Sequence, residues 1–343
     1  MSRTIGTEEN SPIDITEGLT ADKLDYVKLC NSIWNYVSGY SSESPKAKYQ
    51  TDILIKVLKD CKPILEAEPI VPKLKRSNVV IFGPVYGEGD SLLTLMSQTA
   101  MPTKITYIFL GCYLGHGFAP IECLILLLLL KIRFPKQVYL LKGHHEESLT
   151  IDQLQVAEWI TIKGMSSKDA EIIVGEIKKT CSYLPSAILL NNKMLCIPGG
   201  PGESMRNKSL KDLIDIQRGD RMSVSDKKML MEAAWSVLMV NDAHKNMHGM
   251  PFFTTEQATK YCKDNKILCM IRGRQMVDDG FLNKPRCVIT LISAVAYLDN
   301  FRNYAAVLKI TDNKSAIIRY KMEEGEQESL ELVKPGMGRN AIS

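Results

Sequence analysis

Four times in the first two hundred residues a short apolar run stops abruptly at a glycine-bearing turn. Asn78–Phe82 runs into Gly83-Pro84-Val85-Tyr86-Gly87, and Ile105–Leu110 runs into Gly111-Cys112-Tyr113-Leu114-Gly115-His116-Gly117. Val138–Leu141 leads to Gly143-His144-His145-Glu146, and Met194–Ile197 leads to Pro198-Gly199-Gly200. Runs this short, rich in Val, Ile and Phe, read as strands, and the first two are followed by helix-like stretches at Ser91–Met96 and Ile121–Ile132. Strand, glycine turn and helix in repetition predict an α/β fold whose functional loops sit at strand ends.

The flanks fit one domain. Helical patterns near Asp22–Val37 and Asp52–Leu65 are separated by a serine-rich gap at Ser38–Ser44. In the second, Ile53, Leu54, Val57, Leu58, Cys61 and Leu65 make an apolar stripe at helical spacing. Later helices are expected to start at Ser225 and at Thr254, the second with Gln257 completing a capping box. Strand-like runs follow at Lys266–Ile271, Cys287–Ser293, Tyr304–Ile310 and Ala316–Tyr320, which suggests a second sheet packed on the first. The expected organisation is a disordered arm over residues 1–20, a single domain over 21–322 and a flexible tail over 323–343.

Several function classes are disfavoured. The most apolar stretch, Ile121–Leu130, is ten residues long and contains Glu122, about half of a bilayer span, so it reads as a buried helix and no membrane association is expected. Net charge is only +4 over 343 residues, with no basic helix interleaved with aromatics, so no nucleic-acid partner is expected. Nine cysteines, an odd number with no C-x-x-C pair and no signal-peptide core ahead of them, point to reduced thiols in the cytoplasm or nucleus.

In order and spacing these turns resemble the phosphoprotein phosphatase family, its type-1 serine/threonine branch most closely, over roughly residues 20–322. GPVYG stands where the family has G-D-x-H-G, GCYLGHG where it has G-D-x-V-D-R-G, and GHHE where it has G-N-H-E. IPGG corresponds to a strand ending in H-G-G, RGRQMVDDGF to R-A-H-Q-x-x-x-D-G-Y, SAVAY to S-A-P-N-Y, and Asn246-Met247-His248-Gly249 to N-D-R-G. The resemblance implies a metallophosphoesterase-like central β-sandwich of two mixed sheets flanked by helices. The scaffold letters match, while the chemical letters mostly do not.

Carried over position by position, the family's six metal ligands fall on Pro84, Tyr86, Cys112, His144, Pro198 and Arg274. Its phosphate-gripping arginines fall on His116 and His248, and the aspartate that would orient the acid falls on Gly115. His145, Glu146 and Tyr297 are retained. Two of the six ligand positions are prolines and one is a cation, a poor match to the oxygen-rich site that a hydrolytic ion pair prefers. A lone general acid such as His145 contributes about 10²–10⁴ of an acceleration on the order of 10²¹. The expectation is therefore a chain that is not an enzyme and has no cofactor. It would act as a pseudophosphatase, a protein-binding or scaffolding module that competes for type-1 phosphatase regulatory subunits or holds phosphorylated partners. His116, His144, His248 and Arg274 would form an anion-binding pocket. The alternative is a hydrolase with a rebuilt site, holding one zinc or manganese ion at Cys112 and His144.

Overall fold

The computed structural model describes residues 12–39, 46–219, 222–240, 249–295, 302–312, 314–321 and 329–333. The chain opens with β1 (Ile13–Asp14), α1 (Tyr26–Ser38), β2 (Ala47–Lys48), α2 (Thr51–Glu66), β3 (Lys73–Leu74), β4 (Asn78–Phe82) and α3 (Gly89–Ser97). Next come β5 (Thr106–Phe109), α4 (Pro120–Arg133), β6 (Val138–Leu140), a 3-10 turn at His144–Glu146, α5 (Ser148–Gln153), α6 (Val156–Ile162) and α7 (Ser167–Cys181). The remainder runs β7 (Ile188–Leu190), β8 (Met194–Cys196), α8 (Leu210–Ile214), α9 (Val224–Trp235), β9 (Val237–Met239), β10 (Phe252–Thr254) and α10 (Thr255–Asp264). It closes with β11 (Cys269–Arg272), β12 (Phe281–Asn283), β13 (Val288–Leu291), β14 (Ala305–Thr311), β15 (Lys314–Lys321) and β16 (Ser329–Val333).

Two six-stranded mixed sheets stack face to face, one ordered β16-β15-β14-β4-β5-β6 and the other β12-β13-β11-β8-β7-β3. Alternation along each strand divides the core into layers, because successive side chains leave a strand on opposite faces. Val79 and Ile81 of β4, Ile108 of β5 and Leu308 of β14 meet Ile188, Cys196, Ile271 and Leu291 of the other sheet. Their neighbours Val80, Phe82, Tyr107, Phe109 and Val307 point the other way, into a layer built on α1, α2, α4 and α7. Leu195, Met270 and Val288 do the same from the second sheet, toward α8, α9 and α10. The expected sandwich with helical flanks is what the chain forms.

α4 shows why so apolar a segment stays in the protein interior. Pro120 stands in its first turn, and every residue from Pro120 to Lys131 is buried. Glu122 accepts from Tyr49 Oη at 2.8 Å and Lys163 Nζ at 2.5 Å, which compensates the burial of its charge. Among the described residues no helix is long and apolar enough to cross a membrane.

Local differences from the sequence reading have local causes. Residues 13–19, assigned above to an arm, are fastened: Ile13–Asp14 pair with Ala47–Lys48, and Ile15 and Leu19 are buried. Ser329–Val333, assigned to the tail, pairs with Lys321–Ile317. α9 is capped by Ser223 rather than Ser225; the Ser223 hydroxyl and the Asp226 carboxylate complete a reciprocal box. The box predicted at Thr254 and Gln257 is present.

Candidate functional site

β4, β5 and β6 run parallel, so the turns that follow them emerge side by side. The turns after β8 and β11, also parallel to each other, arrive from the second sheet. This is the carboxyl edge at which α/β sheets present ligands. The turns interlock through backbone. Val85 and Tyr86 N–H both donate to the Cys112 carbonyl, at 3.3 and 2.8 Å, and Ser293 N–H donates to the Pro84 carbonyl at 2.9 Å.

Three of the six mapped ligand positions have left-handed backbone without being glycine: Tyr86 at φ 49°, Cys112 at φ 56° and Arg274 at φ 72°. Non-glycine residues in that region are strained and persist only where the surroundings hold them there. Gly115 leaves no room for a side chain, since a Cβ there would overlap the Tyr86 carbonyl. The aspartate that the resemblance places at that position could not fit this loop path.

Glu146 is the fastening point. Its buried carboxylate accepts from Cys112 N–H at 2.7 Å, Tyr113 N–H at 2.8 Å, Leu114 N–H at 3.5 Å and Gly143 N–H at 3.0 Å. Burial pushes its pKa up to about 7, and these donors pull the other way. Retained Glu146 therefore joins the turn after β5 to the turn after β6.

On that frame Cys112 Sγ lies 3.0 Å from His144 Nδ1. The His144 and His145 rings are 4.2 Å apart, and Tyr86 packs on His145 with centroids at 5.1 Å. His145 Nδ1–H donates to the Leu114 carbonyl at 2.6 Å, so its Nε2 carries the free lone pair. Burial pushes the Cys112 thiol up. It drives His144 well below its usual range and His145 down to about 4, so both imidazoles are neutral at pH 7. Trp235 packs on His144 at 5.0 Å, and the Arg274 guanidinium lies 5.3 Å over the same indole. Arg274 Nε is buried without a hydrogen-bond partner among the described residues. Tyr86 and Cys112 also join Ile292 and Ala294 in a small apolar cluster at the base.

Not every mapped residue comes together here. His116 is exposed and faces Trp159 at 6.3 Å, in a recess shared with Tyr36, Lys46 and Phe118. Of the other residues expected in the anion pocket, His144 and Arg274 both pack on Trp235, whereas His248, like Tyr297, lies outside the described residues. The nearby carboxylates have other partners: Glu146 is taken by backbone donors and Asp279 binds Arg319 at 3.1 Å. The sequence reading passed over two contributors. One is Trp235, which supports Arg274. The other is His145 as a candidate ligand beside Cys112 and His144; the doubled histidine after Gly143 was the signal for it.

Residues 78–273 match the model of the calcineurin-like phosphoesterases. The chain belongs to that family. It is 29% identical to serine/threonine-protein phosphatase BSL2 of Arabidopsis thaliana over 71% of this chain and 25% of that protein. It is also 29% identical to the serine/threonine-protein phosphatase 2B catalytic subunit A1 of Saccharomyces cerevisiae, over 78% of this chain and 51% of that one. Identity to the PP2A-like phosphatase PPG1 of Candida albicans is 27%, over 68% and 56%. The chain thus spans between a quarter and a little over half the length of these curated relatives. A solved serine/threonine phosphatase of Saccharomyces cerevisiae with similarity to human PP5 superposes with a TM-score of 0.70 at 20% identity, covering 81% of this chain and 92% of that one.

These matches correct two expectations. The chain was expected not to be an enzyme, but the phosphoesterase family is an enzymatic one and the relatives are named as serine/threonine phosphatases. No cofactor was expected, but calcineurin-like phosphoesterases are metal-dependent. The error was to count only the six inherited ligand positions. A pair of hard ions does not fit: Pro84 and Pro198 offer no ligand atom and Arg274 is cationic. One soft ion does fit, because Cys112, His144 and His145 offer ligand atoms within 4.8 Å of one another. The hydrogen bond from His145 Nδ1 to the Leu114 carbonyl is the outer-shell arrangement that orients a ligating imidazole.

Proposed function

We propose that this phosphoesterase hydrolyses phosphoserine or phosphothreonine on proteins through a rebuilt site that takes one soft divalent ion. The observation that carries the reading is the buried group Cys112, His144 and His145, whose ligand atoms converge within 4.8 Å. Family membership and the three phosphatase relatives support the reaction class. Thiolate with neutral imidazole suits zinc better than manganese. Bound there, such an ion would supply Lewis acidity and an acidified water.

The chain's own residues do the rest. His145 is held in one tautomer by the Leu114 carbonyl, leaving Nε2 free. Arg274, stacked on Trp235 with Nε unpaired, presents positive charge where a phosphoryl anion would need it. Tyr86, Ile292 and Ala294 keep the floor apolar, which strengthens electrostatic contacts above it. Without a second ion to clamp both the attacking and the leaving oxygen, turnover should be well below that of two-ion relatives.

The test is metal analysis of purified protein beside phosphopeptide hydrolysis with added zinc or manganese. Near-stoichiometric metal and slow turnover, both abolished in Cys112→Ser, would support the reading. Absence of bound metal, together with no turnover under either ion, would defeat it.

A further inference from the structure

Three thiols unused by the candidate site gather at the outer end of the second sheet. Cys262 lies on the last turn of α10, Cys269 opens β11, and Cys287 immediately precedes β13. Cys262 is 2% exposed, and its Sγ lies 3.9 Å from the Cys287 carbonyl oxygen. Cys287 is only partly buried, and its Sγ lies 3.8 Å from Thr259 Oγ1. Thr259 is one turn before Cys262 on the same face of α10. Its hydroxyl donates to the Thr255 carbonyl at 2.8 Å, which leaves the oxygen to accept from Cys287. Cys287 is therefore held against the face of α10 that carries Cys262.

We propose that Cys262 and Cys287 are a redox-modification site, a dithiol that hydrogen peroxide converts to a disulfide fastening α10 to the head of β13. Cys287 is the sulfur that an oxidant in solution can reach. Its thiolate attacks peroxide; the S–O bond forms as the O–O bond breaks, giving a sulfenic acid and hydroxide, which is protonated to water. Cys262 sulfur then attacks the sulfenic sulfur. The S–S bond forms, the S–O bond breaks, and the hydroxyl departs as water with the Cys262 proton. Peroxide gains two electrons and the thiol pair loses them.

Burial raises the Cys262 thiol, so Cys287 and not Cys262 is the sulfur that meets peroxide first. Cys269 is the nearby competitor, with its Sγ turned 3.5 Å from the Met270 carbonyl. The link would brace a strand whose far end reaches the candidate site, where Ser293 Oγ accepts from Gly83 N–H at 2.9 Å.

The experiment treats the reduced full chain with hydrogen peroxide, blocks remaining thiols with N-ethylmaleimide and digests with trypsin. The expected product joins the peptide 261–263 to the peptide beginning at Cys287, and dithiothreitol reverses it. Cys269→Ser should still form the link, and Cys287→Ser should not. Cys262→Ser should accumulate a dimedone-reactive sulfenic acid at Cys287. Cys287 joined instead to Cys269, or over-oxidised while Cys262 remains alkylatable, would overturn the proposal. The digest of the unmodified chain decides this even if a variant fails to fold.

Discussion

All four groups aimed at the Glu146 carboxylate are backbone N–H donors, so a protonated Glu146 would have no acceptor facing it. Glu146→Gln turns one accepting oxygen into an N–H group pointing at other N–H groups. The cost should exceed about 2 kcal/mol, read as a lower urea midpoint, because buried donors are left unpaired. His144 and His145 give a pH prediction of definite sign. In chelator-treated protein both are depressed by burial, His145 to about 4 from 6.5. The unfolded chain therefore binds protons first as pH falls. The stability from keeping these rings neutral is complete above pH 6.5; the His145 share is lost on the way down to about 4, and the His144 share falls in the same direction. Thermal melts over that window should show a falling midpoint, and a His144→Asn variant should flatten the slope. At this scale the sequence was legible as to which residues stand in the turns after the strands. It was silent on how the new side chains meet, since the 3.0 Å approach of Cys112 to His144 depends on two turns contributed by different strands.

Among the elements, β11 shows how a strand end is tied down. Arg272 is fully buried and donates to the Gly199 carbonyl, to the Ser236 carbonyl at 3.0 Å and to Gln275 Oε1 at 2.6 Å. Its pKa falls to about 9, through burial first and the neighbouring Arg274 charge second. Arg272→Met strands these three acceptors and should cost about 3 kcal/mol or more, measured by chemical denaturation, with the turn after β8 losing hydrogen-exchange protection. Strand and helix identities were readable because apolar runs broke at Gly83, Gly111 and Gly143, and because the Thr254 box names its helix start. The cap of α9 was misplaced by two residues because Ser223 and Ser225 are equally good cap residues, and only the position of Asp226, three after Ser223, distinguishes them. β1 was missed because two residues of strand carry no period, and their pairing with β2 is a tertiary event.

For the molecule as a whole, an ion at Cys112, His144 and His145 would bridge the turns after β5 and β6, and binding would be linked to folding. Zinc at a hundred times its dissociation constant adds about 2.7 kcal/mol. The melting temperature of the apo chain should rise by several degrees with zinc, and Cys112→Ser should remove the rise while leaving the unliganded unfolding free energy within about 1 kcal/mol of the unsubstituted chain. Stacked sheets could be anticipated from the sequence because strand runs recur on both sides of the helical middle. The sheet order could not, since β4 pairing with β14 joins segments more than two hundred residues apart. Among the described residues, the six positions mapped as ligands all lie beyond the last residue of their strand: Pro84 and Tyr86 after Phe82, Cys112 after Phe109, His144 after Leu140, Pro198 after Cys196, Arg274 after Arg272. Scaffold and reagent are in that sense separately editable. New side chains at those tips can change which ion or anion is held without disturbing the layers that keep the protein folded.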